Sequence, residues 1–117
     1  MTTQQVANRL VELCRKGQIV QAIDELYGND IISVEPEYGP VKSAKGKKNV
    51  IEKGGQFAAM IDERHGGSFS EPVVTGKYFT TVMTLDATFK GRGRSTFEET
   101  CIYEVKDGKI ISEQFFF

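Results

Sequence analysis

The sequence predicts an α+β fold in which three helices pack on one face of a strongly curved, mostly antiparallel sheet. Apolar residues recur at helical spacing only in the first half of the chain, whereas the second half consists of strand-like segments separated by glycine turns. Helices followed by a long meander are typical of α+β folds. The length of 117 residues suits one domain, which we expect to span residues 1–117.

Two helices are predicted at the start of the chain. Thr2 and Gln5 match a capping box, in which the threonine side chain caps the helix and the glutamine side chain reaches back. Apolar residues at helical spacing follow until Gly17, a residue type that commonly ends helices. A shorter second helix begins near Ile19 and ends at Gly28.

A short strand and a third helix are predicted next. The β-branched stretch Ile31–Val34 favours a strand, which Pro36 ends because proline cannot donate to a sheet. After a polar loop, apolar residues at helical spacing predict a helix over Lys47–Arg64. His65 directly follows this predicted helix.

The rest of the chain is predicted to form strands joined in hairpins. Glycine lies in each of the three predicted turns, where it provides the backbone conformations that tight turns need. The four predicted strands are Ser68–Thr75, Tyr78–Lys90, Ser95–Val105 and Lys109–Phe117.

Composition excludes several classes of function. Fifteen basic and sixteen acidic residues give a net charge of −1, which argues against a nucleic-acid partner. The longest apolar run, Phe57–Ile61, is far shorter than the roughly 20 residues that cross a bilayer. The polar residues after Met1 do not match a signal peptide. We therefore expect a cytoplasmic protein with no membrane partner.

Metal binding and disulfide formation are not expected either. Cys14 and Cys101 lie far apart and show no zinc-binding spacing, so we predict two buried, reduced thiols. His65 is the single histidine, and no calcium-loop pattern of acidic residues is present. The sequence predicts neither a metal nor another cofactor.

Three parts of the chain resemble the SnoaL-like branch of the nuclear transport factor two superfamily, which includes polyketide cyclases and is related to ketosteroid isomerases. They are the segment Gly17–Asp30, the strand end Val34–Pro36 with the helix entry Gly46–Val50, and the last hairpin Tyr103–Ile110. The resemblance covers nearly the whole chain. It implies a cone-shaped, cystatin-like α+β barrel that encloses a largely apolar cavity for a small organic molecule.

Glu35 is the first catalytic candidate. It precedes Pro36 at the position where the resemblance to ketosteroid isomerases places an aspartate base. An apolar pocket disfavours the charged carboxylate and so raises its pKa toward a range useful for proton transfer. The alternative is a solvated carboxylate beside Glu37. We expect Glu35 to be a better base than Glu99, the second candidate.

Glu99 is the second catalytic candidate, and it follows from strand alternation alone. Phe97, Glu99, Cys101 and Tyr103 fall on one face of the predicted strand, so Glu99 is a lone acid in an otherwise apolar row. The alternative is a cross-strand ion pair with Arg92, Arg94 or a lysine.

Six further residues are candidates for ligand binding. Tyr27 either supplies a hydroxyl to the cavity or continues the apolar face of the second helix into the core. His65 either caps the third helix or carries protons at the cavity rim. The ligand-binding candidates are Tyr27, Tyr38, His65, Phe97, Cys101 and Tyr103.

The resemblance fails at the groups that stabilise an oxyanion in ketosteroid isomerases. Leu10 stands near the place of their tyrosine, and Thr100 or Cys101 stands at the place of their protonated acid. Steroid isomerisation is therefore not expected. Two functions stay open: cofactor-independent acid/base chemistry of the isomerase, cyclase or dehydratase type, and a non-catalytic ligand-binding or dimeric association module.

The end of the chain predicts a homodimer. Phe115, Phe116 and Phe117 project alternately to both faces of the last strand, so one face exposes apolar side chains that need a cover. The resemblance implies pairing through this outer face, and we expect a twofold-symmetric dimer.

Overall fold

The computed structural model describes all residues from Met1 to Phe117 and contains three helices. The predicted capping box is present, with Thr2 Oγ1 accepting from the Gln5 amide at 3.1 Å and Gln5 Oε1 accepting from the Thr2 amide at 2.8 Å. None of the helices is long and apolar enough to cross a bilayer. The helices are α1 (Thr3–Arg15), α2 (Ile19–Leu26) and α3 (Lys47–Ala59).

Seven strands form one sheet in the order β2-β1-β7-β6-β5-β3, and β4 also pairs with β5. All pairings are antiparallel except β1 with β7, which is parallel. Asp107 and Gly108 both have positive φ in the two-residue turn between β6 and β7, the conformation that suits a tight hairpin. The strands are β1 (Tyr27–Val34), β2 (Ala44–Lys45), β3 (Ile61–Phe69), β4 (Val73–Thr75), β5 (Tyr78–Phe89), β6 (Gly93–Lys106) and β7 (Lys109–Phe116).

The third helix is shorter than predicted, because the residues that follow it form a strand. It ends at Ala59, and β3 begins at Ile61. β4 covers only Tyr78–Thr80 of the long strand β5, and a helix that continued to Arg64 would leave Ala87–Phe89 of the same edge without partners. Residues 61–69 pair with it instead. The prediction of a helix to Arg64 was therefore wrong.

The first strand is longer than predicted for a related reason. It begins at Tyr27, which the helical pattern had placed on α2, and pairs with β7 from Tyr27 to Val34. The parallel partner is at least 80 residues away along the chain, so no local pattern in the sequence indicates it. Three helices on a mostly antiparallel, open sheet are nevertheless the predicted fold class.

The sheet and the helices enclose a core at one end and a cavity at the other. On the concave face, the row Phe79–Tyr103–Glu113–Ser33 crosses four strands at the core end, and the row Phe69–Met83–Glu99 lies closer to the opposite end. The Phe79 and Tyr103 rings stack 4.6 Å apart. The apolar faces of α1 and α2 pack on this end through Val6, Ala7, Leu10, Leu13, Ala22, Ile23 and Leu26.

Candidate functional site

A cavity of about 600 Å³ lies between the concave face of the sheet and the helices. Its lining is mostly apolar, as in most small-molecule sites. Phe57 of α3, Phe97 of β6 and the terminal Phe117 form an aromatic wall, with ring centroids 6.1 Å apart for the first pair and 4.8 Å for the second. This wall can bury a planar, apolar molecule.

A chain of hydrogen bonds lines the core end of the cavity. The Lys53 ammonium donates to Glu35 Oε2 at 2.7 Å and also to Ser33 Oγ, and the side chains of Lys53 and Glu35 are each only 8% exposed. The Ser33 hydroxyl donates to Glu113 Oε2 at 2.6 Å, and the Tyr27 hydroxyl donates to Glu113 Oε1. The five side chains therefore hold one another in fixed orientations.

Three elements bring this chain of hydrogen bonds together. Ser33 and Glu113 are register partners in the parallel pair β1–β7. Lys53 lies one turn beyond Val50 on α3, on the face that packs against the sheet. Glu35 follows the last residue of β1 and so lies beside the strand end.

Burial raises the pKa values of both Glu113 and Tyr27. Burial raises the pKa of the Glu113 carboxyl, and the hydrogen bonds from Ser33 and Tyr27 counteract that shift because they favour the ionised form. Burial and the nearby Glu113 charge raise the pKa of Tyr27 well above its usual range. Tyr27 therefore keeps its proton and acts as a donor.

Glu99 differs from Glu35 because no basic side chain pairs with it. Its one side-chain partner is Cys101, whose Sγ lies 3.6 Å from Glu99 Oε1. Burial raises the pKa of Glu99 to about 7, and repulsion from Glu35 contributes to the shift. Glu99 can therefore accept or give a proton near neutral pH.

The ion pairs that the sequence offered as alternatives for Glu99 are not formed. Arg94 pairs instead with Asp86, with 2.9 Å between Arg94 Nη2 and Asp86 Oδ2. Both residues alternate with the inward row of their strands and so lie on the outer face of the sheet. Glu35 is not the solvated carboxylate of its alternative either, because its side chain is buried against Lys53.

The structure brings six of the predicted site residues together and leaves two outside. Tyr38 is 75% exposed, and its hydroxyl donates to the Phe117 carbonyl, so the loop carries this ring over the C-terminal residue rather than into the cavity. His65 lies exposed on β3, with Nε2 2.7 Å from Thr88 Oγ1, because α3 ends before it. Both placements at the cavity are corrected, as is the helix cap at His65. The six that line the cavity are Tyr27, Glu35, Phe97, Glu99, Cys101 and Tyr103.

Three polar residues of the site were missed from sequence. Lys53 stands between Val50 and Phe57 at helical spacing, as a lone charge in an apolar stripe. Glu113 alternates with Phe115 and Phe117 in the last strand, which is the same signal that indicated Glu99. Ser33 is fully buried, but nothing in the sequence distinguishes it from a serine on an exposed face.

Three helices on a curved, mostly antiparallel sheet are also the fold of solved proteins described as NTF2-like and cystatin-like. The family model of the SnoaL-like domain matches residues 1–117. The chain therefore belongs to the SnoaL-like family.

Solved structures agree with this assignment. A protein from Mesorhizobium loti, provisionally named a SnoaL-like polyketide cyclase, is 35% identical with a TM-score of 0.89, and the match covers 100% of both chains. An NTF2-like protein from Burkholderia pseudomallei is 16% identical with a TM-score of 0.81, covering 100% of this chain and 92% of that one. TerC, crystallised with polyporic acid, is 17% identical with a TM-score of 0.74, covering 99% and 92%. No protein of curated function matches the sequence significantly.

Proposed function

We propose that the protein binds a small, largely apolar carbonyl compound in this cavity and moves a proton at the carbon beside the carbonyl group. Such proton transfer underlies cofactor-independent isomerisation, aldol-type cyclisation and dehydration. The observation that supports it best is the Glu99 carboxylate, which lines an aromatic-walled cavity without any basic partner.

Glu99 is the base in this proposal. A catalytic base works best when its pKa lies near the working pH, and burial raises the pKa of Glu99 to about 7. Glu35, which the sequence favoured as the base, already accepts a charge-assisted hydrogen bond from Lys53. Its carboxylate therefore positions the ammonium, and Glu99 takes the proton.

Lys53 supplies the electrophilic group. An ammonium has three N–H donors, of which Ser33 and Glu35 use two, so one remains for a ligand oxygen beside the Phe115 ring, whose centroid lies 5.0 Å from Lys53 Nζ. Removing a proton beside a carbonyl places negative charge on the oxygen, and a preorganised cation stabilises that charge. Lys53 thus takes the role of the oxyanion donors that are missing at Leu10 and at Thr100 or Cys101.

Deuterium exchange into 2-tetralone tests this chemistry directly. This bicyclic ketone has acidic protons beside its carbonyl group, and their loss in D2O is followed by proton NMR. The wild-type protein should accelerate exchange above the buffer rate, and Glu99→Gln should abolish the acceleration while retaining binding. Glu98→Gln, on the exposed outer face of the same strand, is the matched control and should exchange like wild type. Acceleration that persists in Glu99→Gln would contradict the proposal.

A non-catalytic association module is the second candidate function, and the outer face of the sheet favours it. Ile32 of β1, Phe116 of β7 and Val82 of β5 project from this outer face and are each more than a third exposed. An apolar face of this kind suits pairing with a second copy of the chain, so we propose a homodimer. Binding of 2-tetralone without faster exchange, together with dimer formation, would favour this candidate.

Two free thiols are relevant to the cellular compartment of the protein. Cys14 and Cys101 are both unpaired in the structure, and both line the cavity. Burial raises the pKa of Cys14 to about 12, so this thiol stays protonated. Unpaired thiols suit a reducing compartment, and we propose the cytoplasm.

A further inference from the structure

Arg64 is a cavity-lining cation that the proposed chemistry does not use. It forms neither an ion pair nor a side-chain hydrogen bond with another residue. The neighbouring Arg15 differs, because its guanidinium lies 2.8 Å from Glu71 and also donates to the Phe69 carbonyl. Arg64 is thus the guanidinium at the cavity whose charge no acid compensates.

Gly67 leaves room for the Arg64 guanidinium on the concave face of β3. A Cβ atom at Gly67 would lie 2.7 Å from both Arg64 Nη2 and the Thr84 carbonyl oxygen, closer than real contacts allow. Phe69, two residues further along the strand, lines the cavity, and residues two apart project from the same face. The guanidinium therefore lies along the cavity wall, in space that any side chain at Gly67 would occupy.

We infer that Arg64, seated over Gly67, binds an anionic group of the ligand. The inference rests on the proposed function, since it concerns the same cavity and names the class of ligand: an apolar carbonyl compound that also carries a carboxylate or a similar planar anion. The planar guanidinium presents paired N–H donors that match a carboxylate in a bidentate manner.

The register of the sheet sets the distance between this anion subsite and the proposed base. Gly67 pairs with Leu85, which pairs with Phe97, and Glu99 is one inward position further along the same strand. Two strand spacings across the sheet and two residues along the strand put the Cα atoms of Gly67 and Glu99 about 12 Å apart. Leu85, Met83 and Phe97 form an apolar floor between the two ends. A ligand of two fused rings, acidic at one end and reactive at the other, spans this distance.

Two fluorescent probes with the same aromatic frame separate the anion subsite from the apolar cavity. 1-Anilinonaphthalene-8-sulfonate carries a sulfonate, whereas N-phenyl-1-naphthylamine is its neutral counterpart. Both are titrated against wild type, Arg64→Met and the matched control Arg92→Met, an exposed arginine in the β5–β6 turn. We expect Arg64→Met to weaken binding of the anionic probe about five- to tenfold. The effect is not larger because exposure and salt reduce the contribution of a charge-assisted hydrogen bond.

The neutral probe should bind wild type and Arg64→Met equally, and Arg92→Met should match wild type with both probes. Equal affinity of the anionic probe for wild type and Arg64→Met would overturn the inference. An equal loss for both probes would also overturn it, because the arginine would then act only through packing. If wild type binds neither probe, both the inference and the cavity proposal fail. If Glu99→Gln exchanges 2-tetralone like wild type while Arg64→Met still weakens binding of the anionic probe alone, only the proposed chemistry is contradicted.

Discussion

Cys101 Sγ lies 3.6 Å from Glu99 Oε1, and the two residues occupy successive inward positions on β6. A thiol is a weak hydrogen-bond donor, so it compensates little of the charge that a buried carboxylate carries. Burial and Glu99 raise the pKa of Cys101 as well, so the thiol stays protonated and continues to donate. The protonated form of Glu99 is therefore favoured, because its one side-chain partner stabilises the ionised carboxylate only weakly.

The stability of the protein should depend on pH through Glu99. The folded-state pKa is raised from the ordinary 4.5 to about 7, so the folded protein binds this proton more tightly than the unfolded chain. Stability is then highest below about pH 4.5 as far as Glu99 is concerned, and falls as pH rises toward 7. Allowing for partial solvent screening, we expect a loss of about 2 kcal/mol between pH 5 and 8.

Urea denaturation at pH 5 and pH 8 measures this dependence. Glu99→Gln should lose about 2 kcal/mol less than wild type between the two pH values, because the amide does not titrate. Glu98→Gln serves as the control and should keep the wild-type difference. Identical pH dependence in wild type and Glu99→Gln would show that Glu99 is solvated in both protonation states.

Replacing the Cys101 thiol should lower the pKa of Glu99. Cys101→Ser places a stronger hydroxyl donor beside Glu99, which favours the ionised carboxylate and lowers its pKa. The midpoint of the pH profile for 2-tetralone exchange should therefore move to lower pH, by about half a unit to one unit. Cys14→Ser, at the other cavity thiol, should leave the midpoint in place. A midpoint that moves upward, or moves equally in both variants, would contradict this relationship.

Removing the Lys53 ammonium should destabilise the fold. Lys53→Met leaves the buried Glu35 carboxylate without its partner, a change that costs about 3 kcal/mol for a buried pair. Adding Glu35→Gln removes the uncompensated charge, so the double variant should be more stable than Lys53→Met alone. Chemical denaturation of both single variants and the double variant gives the coupling energy. Additive effects of the two substitutions would mean that the pair carries no net interaction.

The outer face of the sheet should hold two copies of the chain together. Light scattering at micromolar concentration should give twice the chain mass, and Val82→Glu should convert the protein to a monomer by placing a charge in the apolar patch. Val20→Glu, at an exposed apolar residue on α2, is the control and should stay dimeric. A wild-type monomer at that concentration would exclude this interface.

Alternation within one strand was the most informative part of the sequence. It correctly grouped Phe97, Glu99, Cys101 and Tyr103 on one face, because a strand places successive side chains on opposite sides whatever its partners are. The extent of β3 was not predictable in the same way. His65 belongs to a strand because β5 needs a partner along its length, and this requirement comes from a distant part of the chain.

The charged residues of the site were likewise predictable only in part. Lys53 and Glu113 each interrupt an apolar stripe, so a lone charge on each element was visible from the sequence. Their connection through Ser33 depends on the parallel pairing of β1 with β7, and no spacing rule indicates that pairing. Tyr38 lies in an irregular loop, where periodicity says nothing about the direction of a side chain.

The hydrogen bond between Ser33 and Glu113 joins residues 80 positions apart, and this separation bears on the order of folding. Closing so long a loop costs more entropy than forming the local hairpins of β5, β6 and β7, and long-range pairings of this kind slow folding. Tyr27 and Ser33 gain the Glu113 carboxylate that orients their hydroxyls only when the first and last strands meet. The chain can thus form most of its sheet before it has a complete site, and ligand affinity should appear late, together with the pairing of β1 and β7.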